Sequence, residues 1–399
     1  MRALICGAGI AGLTLAWHLE RDGWDVELVE SAPAFRDGGY MIDFYGPGLE
    51  VARRMGIEPA LLAARYNVND IDFRNADGRR TSGFSVPASV ADLISLLRGD
   101  LARAIADDVR SPIRYGRSVA ALTDRGDRVD VTLTDGTETT VDLVIGADGV
   151  HSRIRRLVFG HEQQFARYLG HHVAAFFVHD EALSRRLGTR YHTVSVPGRM
   201  AGAYALRDGT VATLFLRRDP DRTLPEDRRA AVREGFGDLG WVIPELLDGC
   251  PDSSEVYYDQ ITQIELPKWS SGRVVLLGDA CQAVSLFAGH GSSLAITGAS
   301  ILAEELRGDT AADREALPAA LERYQQKMQP TVEATQALGR RTVQWMAPPN
   351  RWRLRLRDAI VTASGLPGLD RMLVRSLTPG SHTLIQPAPR AEREAVRRN

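Results

Sequence analysis

Arg2-Ala3-Leu4-Ile5-Cys6 is an apolar run of the length of one buried strand, and it opens directly onto Gly7-Ala8-Gly9-Ile10-Ala11-Gly12. Glycines at this spacing force a strand, a tight turn and a helix into close succession, and the helix is expected over residues 13–21. Each glycine has its own task. Gly7 makes the turn, Gly9 lets a pyrophosphate approach bare backbone, and Gly12 lets the helix pack on the strand, with Ala11 beside it in the phosphate turn. The amides at the positive end of that helix are then free to receive phosphate oxygens. After Gly23 the run Asp25-Val26-Glu27-Leu28-Val29-Glu30 reads as the next strand, and Glu30 ends it, 18 residues beyond Gly12. A carboxylate there can accept both hydroxyls of an adenosine ribose and would repel a 2'-phosphate. On its own this fingerprint leaves NAD and FAD open.

A second apolar strand far downstream narrows the choice. Arg273-Val274-Val275-Leu276-Leu277 ends in Gly278-Asp279-Ala280, followed by a glycine-containing loop over residues 285–293 and a helix over residues 294–306. Asp279 is placed to bond a ribityl hydroxyl, and the loop runs into a helix N-terminus that can stabilise negative charge on a reduced flavin. A third segment lies between these two. Residues 141–145 form an apolar strand ending in Gly146-Ala147-Asp148-Gly149, with Ser152 opening a helix that bears Arg153, Arg155 and Arg156. Asp148 can cap that turn or hold the first helix's arginine. Two grips on one long cofactor favour FAD over NAD.

The remaining texture places a second domain over the first. At 399 residues the chain exceeds one ordinary core. Alternating segments at 68–86, 172–178, 193–196, 201–206 and 211–216 suggest a largely antiparallel sheet, interrupted by a helix at 228–235. Two alternating strands turned at Asp135-Gly136 are expected between 117 and 144. Residues 89–107 read as one long helix, with Leu93, Leu96, Leu97, Leu101 and Ile105 on one side and Arg98 within it. A helix over 313–345 with a kink at Pro330 follows, then a basic, partly amphipathic stretch at 351–373. That stretch reads as a helix packed on the nucleotide domain in preference to one lying on a membrane surface. The polar residues from 387 onward are expected to be disordered. The fold class is therefore α/β. A Rossmann-like domain over 1–67, 98–158 and 267–345 is intertwined with a sheet domain over 68–97 and 159–266, and 346–399 forms a C-terminal helical segment and tail.

Composition excludes several functions. A net charge of -2 with 44% hydrophobic residues carries no bias toward nucleic acid. Cys6, Cys250 and Cys281 lack metal-binding or redox spacing, which fits a reducing, cytoplasmic setting with no metal site. The glycine-interrupted start reads as a strand and not a signal peptide, and no apolar stretch is long enough for stable membrane insertion.

Taken together, the glycine turn with Glu30, Gly39-Tyr40-Met41-Ile42-Asp43-Phe44, Arg98, Gly146-Ala147-Asp148-Gly149 and Gly278-Asp279 with Gly289 and Gly291 resemble the group A flavin monooxygenases of the para-hydroxybenzoate hydroxylase fold. The resemblance covers about residues 1–345 and lies near the tetracycline-inactivating and actinobacterial tailoring branch of secondary metabolism. It implies that Glu30 binds the FAD ribose, Arg98 the ribityl-phosphate region and Asp279 ribityl or phosphate groups, while Gly289, Gly291 and Ser292 lie against the isoalloxazine. It further implies reduction by NADPH or NADH, reaction with O2 to a C4a-hydroperoxide, and transfer of one oxygen atom to an aromatic or polycyclic substrate, by a monomer or homodimer. The chain departs from the family pattern at Ser31, Gln282, Leu286, His290 and Ser293.

The substrate side is less determined by sequence. Phe176, Tyr204, Phe215, Phe287 and His290 are candidate pocket residues, with Met200 a further apolar wall. His171, His172, His192, Tyr191 and Tyr204 are candidate bases for a phenol, each better accounted for as structural. Two other functions fit the same motifs: a flavoprotein of this fold that uses FAD without net oxygen transfer, such as a cyclase, or a nicotinamide-dependent dehydrogenase. A flavin halogenase is disfavoured, since no Trp-x-Trp-x-Ile-Pro segment occurs.

Overall fold

The computed structural model describes residues 1–35, 40–66, 68, 70–85, 93–307 and 316–364. Its centre is a six-stranded sheet in the order Ser270–Ser271, Val274–Leu276, Leu143–Gly146, Arg2–Cys6, Asp25–Glu30, Ile113–Tyr115. All pairings are parallel except that of the short first edge strand. Strands buried on both faces carry continuous apolar runs, as Ala3-Leu4-Ile5 and Leu143-Val144-Ile145 do here, all at 0% exposure. The helices Ile10–Arg21 and Gly291–Glu305 pack on one another over this sheet. Because Arg2–Cys6 is flanked by strands reached in opposite directions along the sheet, the crevice beside its carboxyl end is the expected ligand position.

A larger sheet lies over that crevice. Its strands run Tyr257–Ile264, Ala166–Ala175, Thr210–Arg218, Arg199–Ala205, Arg190–Val196, Asp70–Arg74, Arg80–Ser85, with Phe177–His179 paired on Thr210–Arg218. Only the pairing of Arg190–Val196 with Asp70–Arg74 is parallel. Alternation along these strands separates two faces. Val173, Tyr191, Tyr204 and Leu214 face the crevice. Their neighbours Ala174, Ala203 and Phe215 enter a separate core closed by Val232, Phe236, Leu246 and Leu247 from the helices Arg228–Phe236 and Ile243–Asp248.

Several expectations are corrected. Residues 93–107 are not one helix: Ile94–Leu97 is a strand paired antiparallel with Met41–Phe44, and the helix is Arg98–Ala106. Leu93, Leu96 and Leu97 mimic a helical stripe, but the short run is buried by strand pairing, which periodicity alone cannot distinguish. Between 117 and 144 there are three strands, Val119–Asp124, Val129–Leu133 and Glu138–Val141. The long helix Leu317–Met346 contains Pro330, and the helix after the Gly289 loop starts at Gly291, three residues before its expected start. Residues 387–399 and Gly39 lie outside the described residues.

The last described helix, Arg351–Ser364, packs on Arg80–Ser85 and Arg190–Val196, so it covers the large sheet and not the nucleotide domain. Its anchor is Arg357, which is 1% exposed. The guanidinium donates to Ser195 Oγ at 3.1 Å and Asp358 Oδ1 at 2.8 Å, and lies 4.3 Å from the centroid of the Phe73 ring. Arg357→Ala removes a packed cation and leaves Asp358 with Ser82 but without its counter-charge, an expected loss of about 2 kcal/mol. Chemical unfolding checks this. No described helix is long and apolar enough to cross a membrane.

Candidate cofactor and substrate cleft

The glycine turn is held in a form that no side chain could share. Gly7 has φ +107°, and a Cβ there would overlap the Ala147 carbonyl; one on Gly12 would overlap the Gly7 carbonyl oxygen. Gly9 is different, since the nearest atom to a Cβ there is the tip of Arg98 at 4.0 Å. Strand, turn and helix thus interlock through Gly7 and Gly12, while Gly9 faces open space at the N-terminus of the helix Ile10–Arg21. The first-turn amides of that helix have no intrahelical acceptor, so an anion at Gly9 would satisfy them.

Two cavities meet at this point. One, of about 250 Å³, is lined by Gly7, Gly9, Glu30, Arg117 and Asp148. The other, of about 390 Å³, extends between the loop carrying Gly289, Gly291 and Ser292 and the inner face of the large sheet. Gly9, Arg98, Ala147 and Gly149 belong to both. A bent, two-lobed space with a helix N-terminus and a guanidinium at its waist suits a long dinucleotide with its pyrophosphate at the junction. The residues present therefore fit FAD.

Within the smaller lobe, Glu30 holds the turn together. Its Oε2 accepts from the Ala8 amide at 2.9 Å and its Oε1 from the Ala32 amide at 2.8 Å and Ser31 Oγ at 3.1 Å. Asp148 accepts from Ser152 Oγ at 2.5 Å and from the Arg153 and Ile154 amides at 2.7 and 3.1 Å, so it braces the start of the helix Arg153–Val158, whose cap is Ser152. Among the described residues, no arginine of the first helix bonds to it. In the larger lobe Asp279 starts the short helix Asp279–Gln282, reachable by solvent yet surrounded by protein. That enclosure raises its carboxyl above the usual value, and the Arg98 guanidinium pulls it back.

Arg155 is the member of this region that sequence reasoning passed over as one basic residue among three. It is completely buried, donating to the Ala280 carbonyl at 2.8 Å, the Val150 carbonyl at 2.5 Å and Glu162 at 3.2 Å. It ties the segment after Gly149 to the segment after Asp279. Its spacing of three from the cap Ser152 is the available signal, because that places it on the helix face toward the sheet. Tyr40, Asp43, Tyr257 and Asp259 also line the larger lobe and were not singled out from sequence.

The expected pocket residues divide. Tyr204 and Phe287 line the larger lobe, and Tyr204 Oη accepts from the Met41 amide at 2.6 Å. Phe176 and Phe215 do not: they stack with ring centroids 5.4 Å apart in the core on the far face of the sheet. One residue of register separates Phe215 from Leu214, which does face the lobe. His290 does not line it either. Its Nε2 lies 2.9 Å from Tyr45 Oη and its Nδ1 donates to the Ala288 carbonyl at 2.6 Å. Burial holds that imidazole below its ordinary value, which leaves one nitrogen to accept the Tyr45 hydroxyl. Ser293 accepts from the Gly48 amide and donates to the Tyr45 carbonyl, both at 3.0 Å. Two of the departures from the family pattern, His290 and Ser293, thus fasten the loop to residues 45–48. Met200 is core, and His171, His172 and His192 are buried away from the lobe, His171 bonded to the Leu169 carbonyl and His192 to that of Leu187.

Near the large lobe, His151 stands between Asp259 and Glu162, at 3.4 and 3.0 Å. Hydrogen bonds to Asp259 and Glu162 raise its imidazole to about 10. The folded state binds this proton more tightly than an unfolded histidine near ~6.5, so the stabilisation is full below ~6.5 and is lost as pH rises through about 10. Unfolding followed across that window should show a small decline that His151→Gln lacks; the ring's exposure keeps it small.

The geometry agrees with comparisons to known proteins. The family described as FAD binding domain matches residues 1–188 and 248–338, more than half of the chain. An uncharacterised Mycobacterium tuberculosis protein is 36% identical over 318 residues, covering 76% of this chain and 84% of that protein. A flavin-dependent monooxygenase from an unknown prokaryotic organism is 32% identical over 351 residues, covering 85% of this chain and 88% of the relative. Among solved structures, the tetracycline destructase Tet(55) superposes with a TM-score of 0.80 at 29% identity, covering 97% of this chain and 98% of that one.

Proposed function

This chain belongs to the FAD binding domain family, and we propose that it consumes NADPH or NADH and O2 to insert one oxygen atom into an aromatic or polycyclic small molecule. It is an FAD-dependent monooxygenase, as relatives of that description align along most of its length. The observation that carries the reading is the meeting of two lobes at Gly9 and Arg98. One lobe holds the ribose-binding position at Glu30, and the other lies between the Gly289 loop and the sheet.

FAD, when bound, supplies the redox chemistry and the activation of oxygen. The chain's own part is to bind, orient and shield. The first-turn amides after Gly9 and the Arg98 guanidinium receive the pyrophosphate, and Glu30 receives the ribose with the lone pairs not used by Ala8 and Ala32. Amides at Gly291 and Ser292 open the helix Gly291–Glu305 and present a positive end to the flavin ring. Tyr204, Leu214, Phe287 and Met346 form an apolar wall that orients substrate and excludes water.

The test is turnover. FAD-loaded protein in air should oxidise NADPH or NADH faster when a suitable aromatic substrate is added. If bound FAD is never reduced during turnover of an active substrate, the fold is being used without oxygen transfer.

A further inference from the structure

The charges of the larger lobe are unbalanced. Among the described residues that line it, Arg98 is the only cation, against three carboxylates, Asp43, Asp259 and Asp279. Two of these have cationic company: Arg98 bears on Asp279, and Asp259 lies 3.4 Å from His151. Asp43 has none. It sits on the strand Met41–Phe44, opposite Ser95 in the neighbouring strand, and Ser95 Oγ donates to it at 2.6 Å. That neutral hydroxyl satisfies one lone pair of a carboxyl that can accept about four hydrogen bonds. The surrounding protein raises the carboxyl by desolvation and the Ser95 bond lowers it, with no cation among the described residues contributing.

Asp43 is exposed toward the lobe, and a carboxylate that a bound ligand covers without bringing a counter-charge is costly, so covered groups of this kind are usually paired. Here the missing partner can only enter through the lobe, whose other walls near this end are Met41, Tyr191 and Tyr204. Tyrosine faces attract cations as well. An aromatic carboxylate meets the opposite situation: the Arg98 guanidinium already faces Asp279 and the pyrophosphate position, and no other described lining residue carries positive charge.

We infer that this lobe takes an aromatic or polycyclic substrate bearing a protonated amine, which Asp43 receives, and that it discriminates against aromatic carboxylates. The inference rests on the FAD-dependent reading of the same cleft and specifies the substrate class within it. No group is transferred at Asp43; its part is recognition.

Two probes sharing one ring system test it: 2-naphthylmethylammonium and 2-naphthoate, titrated by calorimetry into FAD-loaded protein. The amine should bind at least about tenfold more tightly, the ratio expected of one charge-assisted hydrogen bond, and Asp43→Asn should remove most of that preference. Equal binding, or tighter binding of the carboxylate, overturns the inference, as does an undiminished preference in Asp43→Asn. The wild-type comparison decides by itself if the variant does not fold. FAD content of the same samples separates the two levels: protein that cannot be loaded contradicts the cofactor reading, whereas loaded protein that prefers 2-naphthoate contradicts only the substrate class.

Discussion

Gly12→Ala is expected to lose FAD binding and about 3 kcal/mol of stability, because the added methyl overlaps backbone and not a movable side chain. The Gly7 carbonyl that it meets belongs to the turn itself, and Ile5 lies 3.2 Å away on the other side. Relief would require the helix Ile10–Arg21 to move off the strand Arg2–Cys6, which also moves the amides at Gly9. Gly9→Ala separates the two consequences. Its Cβ enters open space in the protein, so the fold should keep its stability, yet a pyrophosphate bound as proposed would come closest to the backbone in that space. FAD content and chemical unfolding of the two variants check this: Gly12→Ala should fail in both, and Gly9→Ala in the first alone.

Arg98→Ala should weaken FAD binding on the order of a hundredfold, ~3 kcal/mol, with Asp279→Ala acting in the same direction and less strongly. Arg98 stands at the waist shared by both lobes, where it faces the pyrophosphate position and offsets the burial of Asp279. Without it the described charged residues of the larger lobe are all carboxylates, and Arg117 of the smaller lobe is left to face an anionic cofactor. Asp279→Ala removes an acceptor for the cofactor but also relieves that repulsion, so its net effect is smaller. Titration of the proteins into FAD, followed by quenching of flavin fluorescence, measures both. An Arg98→Ala variant that binds FAD normally would place the pyrophosphate elsewhere.

The nucleotide half of the molecule was legible because its signals are local. Gly7, Gly12, Glu30 and Asp279 each act within a few residues of a strand end, and sequence spacing fixes such positions directly. The sheet half was legible only as alternation. Phe215 and Leu214 carry equally plausible side chains for a pocket, and which of them faces it depends on what covers the other side, here the helices at 228–236 and 243–248. Residues 93–106 failed for a related reason: four residues pairing with Met41–Phe44 form a strand through a partner that no local pattern reveals. Arg155 and Asp43 lay within recognised motifs, but the importance of Arg155 comes from its burial and that of Asp43 from the charges lining the lobe, which are properties of the assembled cleft.

Oxygen transfer from O2 is measured directly by isotope labelling. With FAD-loaded protein, NADPH or NADH and an active substrate under 18O2, the product should gain one 18O atom, with the second appearing in water. Product formed without label, or labelled only from H2 18O, would contradict it.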